Sequence, residues 1–163
     1  MQNNPLLNQL SFVKDKVIED KTKKIKTGKY GNYTEIIKDI EAEFFSTIYN
    51  NNKTVCHFYH KDFEGCKIID KHLQIIAQSH SETLFVKIDA EKSPFLTQKY
   101  SVLVFPTIIL FIRDIAFHRF KGLQDFGMND DFPTINLARQ LVIYKMIEGK
   151  TEAERGEMTT KKK

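Results

Sequence analysis

Thiol chemistry in this sequence would have to pass through Cys56 and Cys66, its only two cysteines. A thiol attacks only as its thiolate, and disulfide exchange needs a second thiol close enough to resolve the mixed disulfide. Cys66 opens an amphipathic stretch directly after the run TVCHFY at 54–59. It therefore falls at a helix N-terminus, where the helix dipole lowers a thiol pKa. With His57 as base it would make a Cys–His nucleophile. Against this stands the lack of any nameable oxyanion donor or third group to orient the imidazole. The alternative is an inert cysteine near a buried, hydrogen-bonded histidine. Cys56 precedes His57 in the strand, and strand side chains alternate faces, so at most one of the two shares a face with Cys66.

The remaining candidates are weaker. His60, His72 and His80 could join His57 around a metal, but their spacing fits no HxxxH or HExxH pattern, and they are read as surface histidines. No metal site and no cofactor are expected. Lys21, Lys23, Lys24, Lys26 and Lys29 cluster without interleaved aromatics, which describes a solvated linker and not a nucleic-acid grip. Neither GxxxxGK[ST] nor GxGxxG occurs, so a glycine-rich phosphate loop has no support. Asp125, Asp130 and Asp131 lack the alternating spacing of a calcium loop. Asp131 reads as the N-cap of the last helix, while Asp125 and Asp130 could belong to a contact surface. Leu6, Leu10, Val13 and Val17 form the stripe of an amphipathic helix that would seat a partner, a second copy of the chain, or its own domain.

These residues need a scaffold, and the apolar pattern supplies one. A helix is expected over 34–48, carrying Ile36, Ile37, Ile40, Phe44, Phe45 and Ile48 inward, then a strand over 54–59 and a helix over 64–79 with Ile68, Ile69, Leu73, Ile75 and Ile76 on the core face. A strand over 83–89 precedes a short helix opened by Ser93-Pro94. Strands over 107–112 and 115–120 flank the tight Arg113-Asp114 turn, and a last helix is expected over 131–147, ended by Gly149. Helical crossovers imply parallel pairs and the hairpin an antiparallel one, giving an α/β fold with a central mixed sheet and helices on both faces. The expected organisation is an amphipathic helix at 1–20, a basic linker at 21–32, one domain at 33–149 and a flexible basic tail at 150–163.

Composition agrees with one core: 163 residues, 41% hydrophobic, with a mild net charge of +4 that demands no nucleic acid. Two cysteines are too few for a disulfide scaffold. The N-terminal residues lack a signal-peptide pattern, and no apolar run reaches the roughly 20 residues of a membrane span. A soluble cytoplasmic protein is expected.

The element order, a cysteine at the helix following a buried strand, and the later Val104-Phe105-Pro106-Thr107 run resemble the thioredoxin fold over about 33–147. Cys66-Lys67 matches the second cysteine and lysine of that family's CxxC motif, and Pro106-Thr107 its cis-proline loop. Phe63 stands where the family places its attacking thiolate, and a phenylalanine can supply none of that chemistry. His57 takes the place of the family's buried acid, which turns Cys56 to the opposite face and argues against a Cys56–Cys66 disulfide. The segments GKYGNYTEI, VCHFYHKDFEGCKIIDKHL, VKIDAEKSPFL and GLQDFGMNDDFPT are similar to a non-redox branch, the phosducin-like family. That resemblance implies no catalytic residue and a degenerate redox site at Phe63, Cys66, Lys67, Pro106 and His57. It also implies a co-chaperone that binds the cytosolic chaperonin and modulates folding of actin and tubulin. The rival is a monothiol oxidoreductase or redox sensor acting through Cys66. The tail departs from the acidic tails common in the family, since it ends in Lys161, Lys162 and Lys163.

Overall fold

A strand buried on both faces sits at the centre. Lys53–Tyr59 (β2) is buried along its five interior residues, pairing in parallel with Leu84–Asp89 (β3) and antiparallel with Thr107–Ile112 (β4). Tyr33–Glu35 (β1) flanks β3 and Ile115–Lys121 (β5) flanks β4, which makes a five-stranded mixed sheet of order β1-β3-β2-β4-β5. The computed structural model describes residues 31–127 and 129–155, so the stripe of Leu6, Leu10, Val13 and Val17 and the linker lysines lie outside the described residues.

Strand alternation divides the core in two. Val55, Phe85, Ile108 and Leu110 face Glu64–Ser79 (α2) and Thr134–Ile143 (α4). Cys56, Phe58, Val86, Ile88, Ile109 and Phe111 face the other layer, made by Ile40–Asn50 (α1) and Pro94–Lys99 (α3). Phe44 of α1 is fully buried and meets Phe45, Phe58, Tyr100 and Phe111 edge to face, with ring centroids 5.4–6.3 Å apart. Such packing adds about 0.5–1.5 kcal/mol per pair beyond area burial. The Arg113-Asp114 hairpin forms as the sequence suggests, with Arg113 at φ 54 and its amide donating to the Asn52 carbonyl.

Three expectations are corrected. Thr34 and Glu35 belong to a strand, not to the first helix: β1 runs beside β3, and the Ile36 amide donates to the Lys87 carbonyl. Asp39 turns the chain at φ 46 before the helix starts, and this leaves Ile37 65% exposed in the connection. A three-residue edge strand is too short to show alternation.

The last helix begins at Thr134, not Asp131, because Pro133 biases the preceding residue away from helical backbone. Its other end comes early. Lys145 takes φ 62 and the Met146 amide returns to the Leu141 carbonyl, which swings Met146 and Ile147 into the core. The supposed flexible tail holds a short helix, Glu152–Arg155 (α5), whose first turn is tied when the Glu154 amide donates to Thr151 Oγ1.

Candidate functional site

Helix α2 starts where the chain leaves β2. Phe63 occupies the cap position in extended backbone, φ −110 and ψ 118, and offers no side-chain cap. Cys66 lies in the first turn, buried, and its sulfur accepts the His60 amide at 3.5 Å. Burial pushes the Cys66 thiol up and outweighs the opposing amide contact. The helix N-terminus was expected to lower it, but a thiolate without water loses more than the dipole returns.

Over this sulfur sits an aromatic cluster. The rings of His60, Phe63 and Phe105 lie 5.2–5.5 Å apart, centroid to centroid. The Phe105-Pro106 bond is cis, and a Cβ on Gly65 would stand 3.1 Å from the Pro106 ring, so a larger residue there would require the ring to give by a few tenths of an ångström. His60 Nδ1 accepts the Asp62 amide at 3.1 Å, which leaves the ring proton on Nε2, 3.3 Å from Glu91. Lys67 points to solvent and pairs with Glu64 at 3.2 Å. A half-exposed phenylalanine thus caps the helix, and the sulfur three residues on is buried and protonated.

Beneath the sheet–helix interface, His57 is wholly buried and anchors a polar network. Tyr33 donates to Asp70 Oδ1 at 2.6 Å, and His57 Nδ1 lies 2.8 Å from the Tyr33 oxygen and 3.1 Å from Asp70 Oδ1. Since the tyrosine proton goes to Asp70, the Nδ1–H of His57 donates to both oxygens. Lys87 Nζ closes the set, 3.2 Å from Asp70 Oδ2 and over the Tyr33 and Tyr59 rings.

Burial lowers the His57 pKa and keeps the ring neutral. Burial also works to raise Asp70, but hydrogen bonds from His57 and Tyr33 and the charge of Lys87 hold its carboxyl below the usual range. Tyr33 is pushed well up by burial and by Asp70. Asp70 thus supplies the orienting group that sequence reasoning lacked. The dyad is nevertheless incomplete, because His57 Nε2 has no hydrogen-bond partner among the described residues, so Cys66 is out of reach. Cys56 sits in the opposite core layer, its thiol pushed up by burial, and both cysteines are free.

Other sequence candidates are redistributed. His72 and His80, expected at the surface, are both buried. His72 stacks on Phe132 at 4.4 Å and bonds Thr134 Oγ1 at 2.7 Å, while His80 lies between Glu82 and Glu154. Each found a polar partner that a linear spacing cannot show. Among the described residues no group of three His, Cys, Asp or Glu could hold a metal ion, and no helix is long and apolar enough to cross a membrane. Asp125 and Asp130 are exposed on the loop between β5 and α4. Sequence reasoning missed Tyr33, Asp70, Lys87 and Phe105. Only Asp70 carried a signal, one helical turn beyond Cys66 on the same face.

The thioredoxin family model matches residues 35–131. The chain is 40% identical over 135 residues to thioredoxin domain-containing protein PLP3B of Arabidopsis thaliana, covering 83% of this chain and 57% of that protein. It is 37% identical over 147 residues to the thioredoxin domain-containing protein 9 homolog of the same plant, covering 89% and 68%. Against phosducin-like protein 3 of Drosophila melanogaster it is 45% identical over 106 residues, covering 64% and 48%. The chain spans little more than half the length of the first relatives it matches, 57% and 52%. Among solved structures, a thioredoxin from Nicotiana alata superposes with TM-score 0.56 at 17% identity, over 69% of this chain and 91% of that one. One from Plasmodium falciparum gives 0.55 at 20%, over 70% and 98%.

Proposed function

The chain belongs to the phosducin-like group of the thioredoxin family, and on that premise we propose that it is a redox-inactive co-chaperone. It binds the cytosolic chaperonin and modulates the folding of actin and tubulin, acting in the cytoplasm through surfaces and not through a thiol. The observation that carries the non-redox half is Phe63 at the cap of α2, packed with His60 and Phe105 over a buried Cys66. Without an attacking thiolate there is no mixed disulfide to resolve. The chaperonin half rests on family membership.

The rival, a monothiol oxidoreductase working through Cys66, needs an exposed and acidified sulfur. Here the sulfur is buried and its pKa is raised. The test is capture of the tagged chain from a cytosolic extract with mass spectrometry, followed by reconstitution with purified chaperonin. Recovery of chaperonin subunits that persists in Cys66→Ser is the expected result. Absence of every chaperonin subunit overturns the proposal, as does thiol-dependent insulin reduction that is lost in Cys66→Ser.

A further inference from the structure

After Ile147 the chain has left the core, and Glu148 to Arg155 crosses the end of the domain with no fully buried residue. Several polar contacts tie it down. The carboxylate of Glu82 accepts the Glu148 amide at 3.0 Å, Lys150 Nζ donates to the Ser79 carbonyl at the end of α2, and Arg139 Nε donates to the Ala153 carbonyl at 3.0 Å. The centre of the clamp is His80, itself only 1% exposed. Its Nδ1 lies 3.0 Å from Glu82 Oε2 and its Nε2 lies 3.2 Å from Glu154 Oε2.

Two carboxylates at opposite nitrogens of one ring match an imidazole bearing a proton on each, since the neutral ring has one N–H and would turn a lone pair toward the second carboxylate. Burial works to raise both glutamates, yet hydrogen bonds from His80 and from backbone amides hold them below the usual carboxylate range. The third charge facing the clamp is Lys150, 3.8 Å from Glu82.

We propose that residues 148–155 are a releasable strap, held shut by His80 bridging Glu82 and Glu154, which opens while the thioredoxin-like core stays folded. A segment in which no residue is fully buried opens at lower free energy than the core. A four-residue helix does not persist once detached, so opening is an order-to-disorder step that uncovers His80 and the last carbonyls of α2.

The test is hydrogen exchange by mass spectrometry on the full chain, with Glu154→Gln as the main variant, because it lies on the strap and cannot unfold the core by itself. His80→Gln is the second variant. The expected result is that amides of 150–155 lose roughly tenfold or more protection in either variant, with α2 and β3 unchanged. In the wild type, the strap amides exchange faster than those of the core but remain protected relative to an unfolded chain. Strap amides unprotected in the wild type, exchange of strap and core together, or strap protection indifferent to both variants would each overturn the inference.

Discussion

Replacing Asp70 by asparagine isolates the charge at the centre of the buried network while keeping its shape. The substitution leaves an acceptor for Tyr33 and for His57 Nδ1, which stand 2.6 and 3.1 Å from Oδ1, but converts two charge-assisted hydrogen bonds to neutral ones. That conversion costs about 1 kcal/mol each, since charged acceptors are roughly twice as effective. The Lys87 contact at 3.2 Å adds little, because both side chains are about a quarter exposed and solvent screens the pair. The sum is a loss of about 2 kcal/mol at pH 7, a large share of the 5–15 kcal/mol typical of a domain.

The pH dependence carries a definite sign. Asp70 has a depressed folded-state pKa, so its contribution is complete above the unfolded carboxylate value of about 4 and disappears as pH falls through the folded one. His57 is also depressed, so both proteins lose stability below about pH 6.5 as the unfolded chain takes up that proton. The variant, lacking the carboxylate that favours the charged ring, loses at least as much. The gap between wild type and Asp70→Asn, from urea unfolding at a series of pH values, is therefore expected to hold or widen down to about pH 4 and to shrink only below it. A gap under about 0.5 kcal/mol at pH 7, or one that narrows between about pH 7 and pH 5, refutes the assignment.

Two further outcomes test the sealed thiol site. Native protein at neutral pH should alkylate at Cys66 about tenfold or more slowly than a free cysteine, because burial raises the thiol and covers it; mass spectrometry of the labelled peptide checks this, and labelling at the free-cysteine rate defeats it. Phe63→Cys restores the family's spacing at a cap position already in extended backbone. Under oxidising conditions the introduced thiol should form a disulfide with Cys66, seen as the loss of two hydrogens in the intact mass. Giving up the His60 and Phe105 ring contacts should cost about 1–2 kcal/mol; two thiols that stay free would show that the helix start is not positioned as described.

Much of the fold was legible because its signals are local. The helix over 64–79 and the short helix opened by Pro94 follow from apolar period and capping chemistry, and the strands around Arg113-Asp114 from β-branched runs broken by a two-residue turn. β1 was not legible, since three residues at an edge owe their conformation to β3 and not to their own pattern. The same holds for the site. Phe63, Cys66 and Pro106 are read from sequence because they lie on a motif, and His57 through the resemblance to thioredoxin, since strand alternation alone says only that it and Cys56 face opposite ways. Tyr33, Asp70 and Lys87 reach His57 from β1, α2 and β3, and nothing in a linear spacing joins those elements. His72 and His80 failed for the same reason. A lone histidine looks exposed until partners such as Thr134 for His72 and Glu154 for His80 are brought in from far along the chain.

Two buried histidines in this domain are built for opposite behaviour, and the contrast follows from what surrounds them. His57 lies between a central strand and a long amphipathic helix, its Nδ1 fixed by Asp70 and Tyr33 and its Nε2 without a partner among the described residues. Moving it would mean separating α2 from the sheet and exposing Val55, Ile69, Leu73 and Phe85, which pack in the same core layer. At about 25 cal/mol for each Å² of apolar surface, that costs as much as unfolding the domain. His80 has a carboxylate at each nitrogen but is covered by a segment in which no residue is fully buried. The polar contacts that oppose its exposure are ones that water can replace. Weakening the network at His57 is thus felt in global stability, whereas breaking the bridge at His80 is expressed as local opening, and Asp70→Asn and Glu154→Gln should separate the two in one exchange experiment.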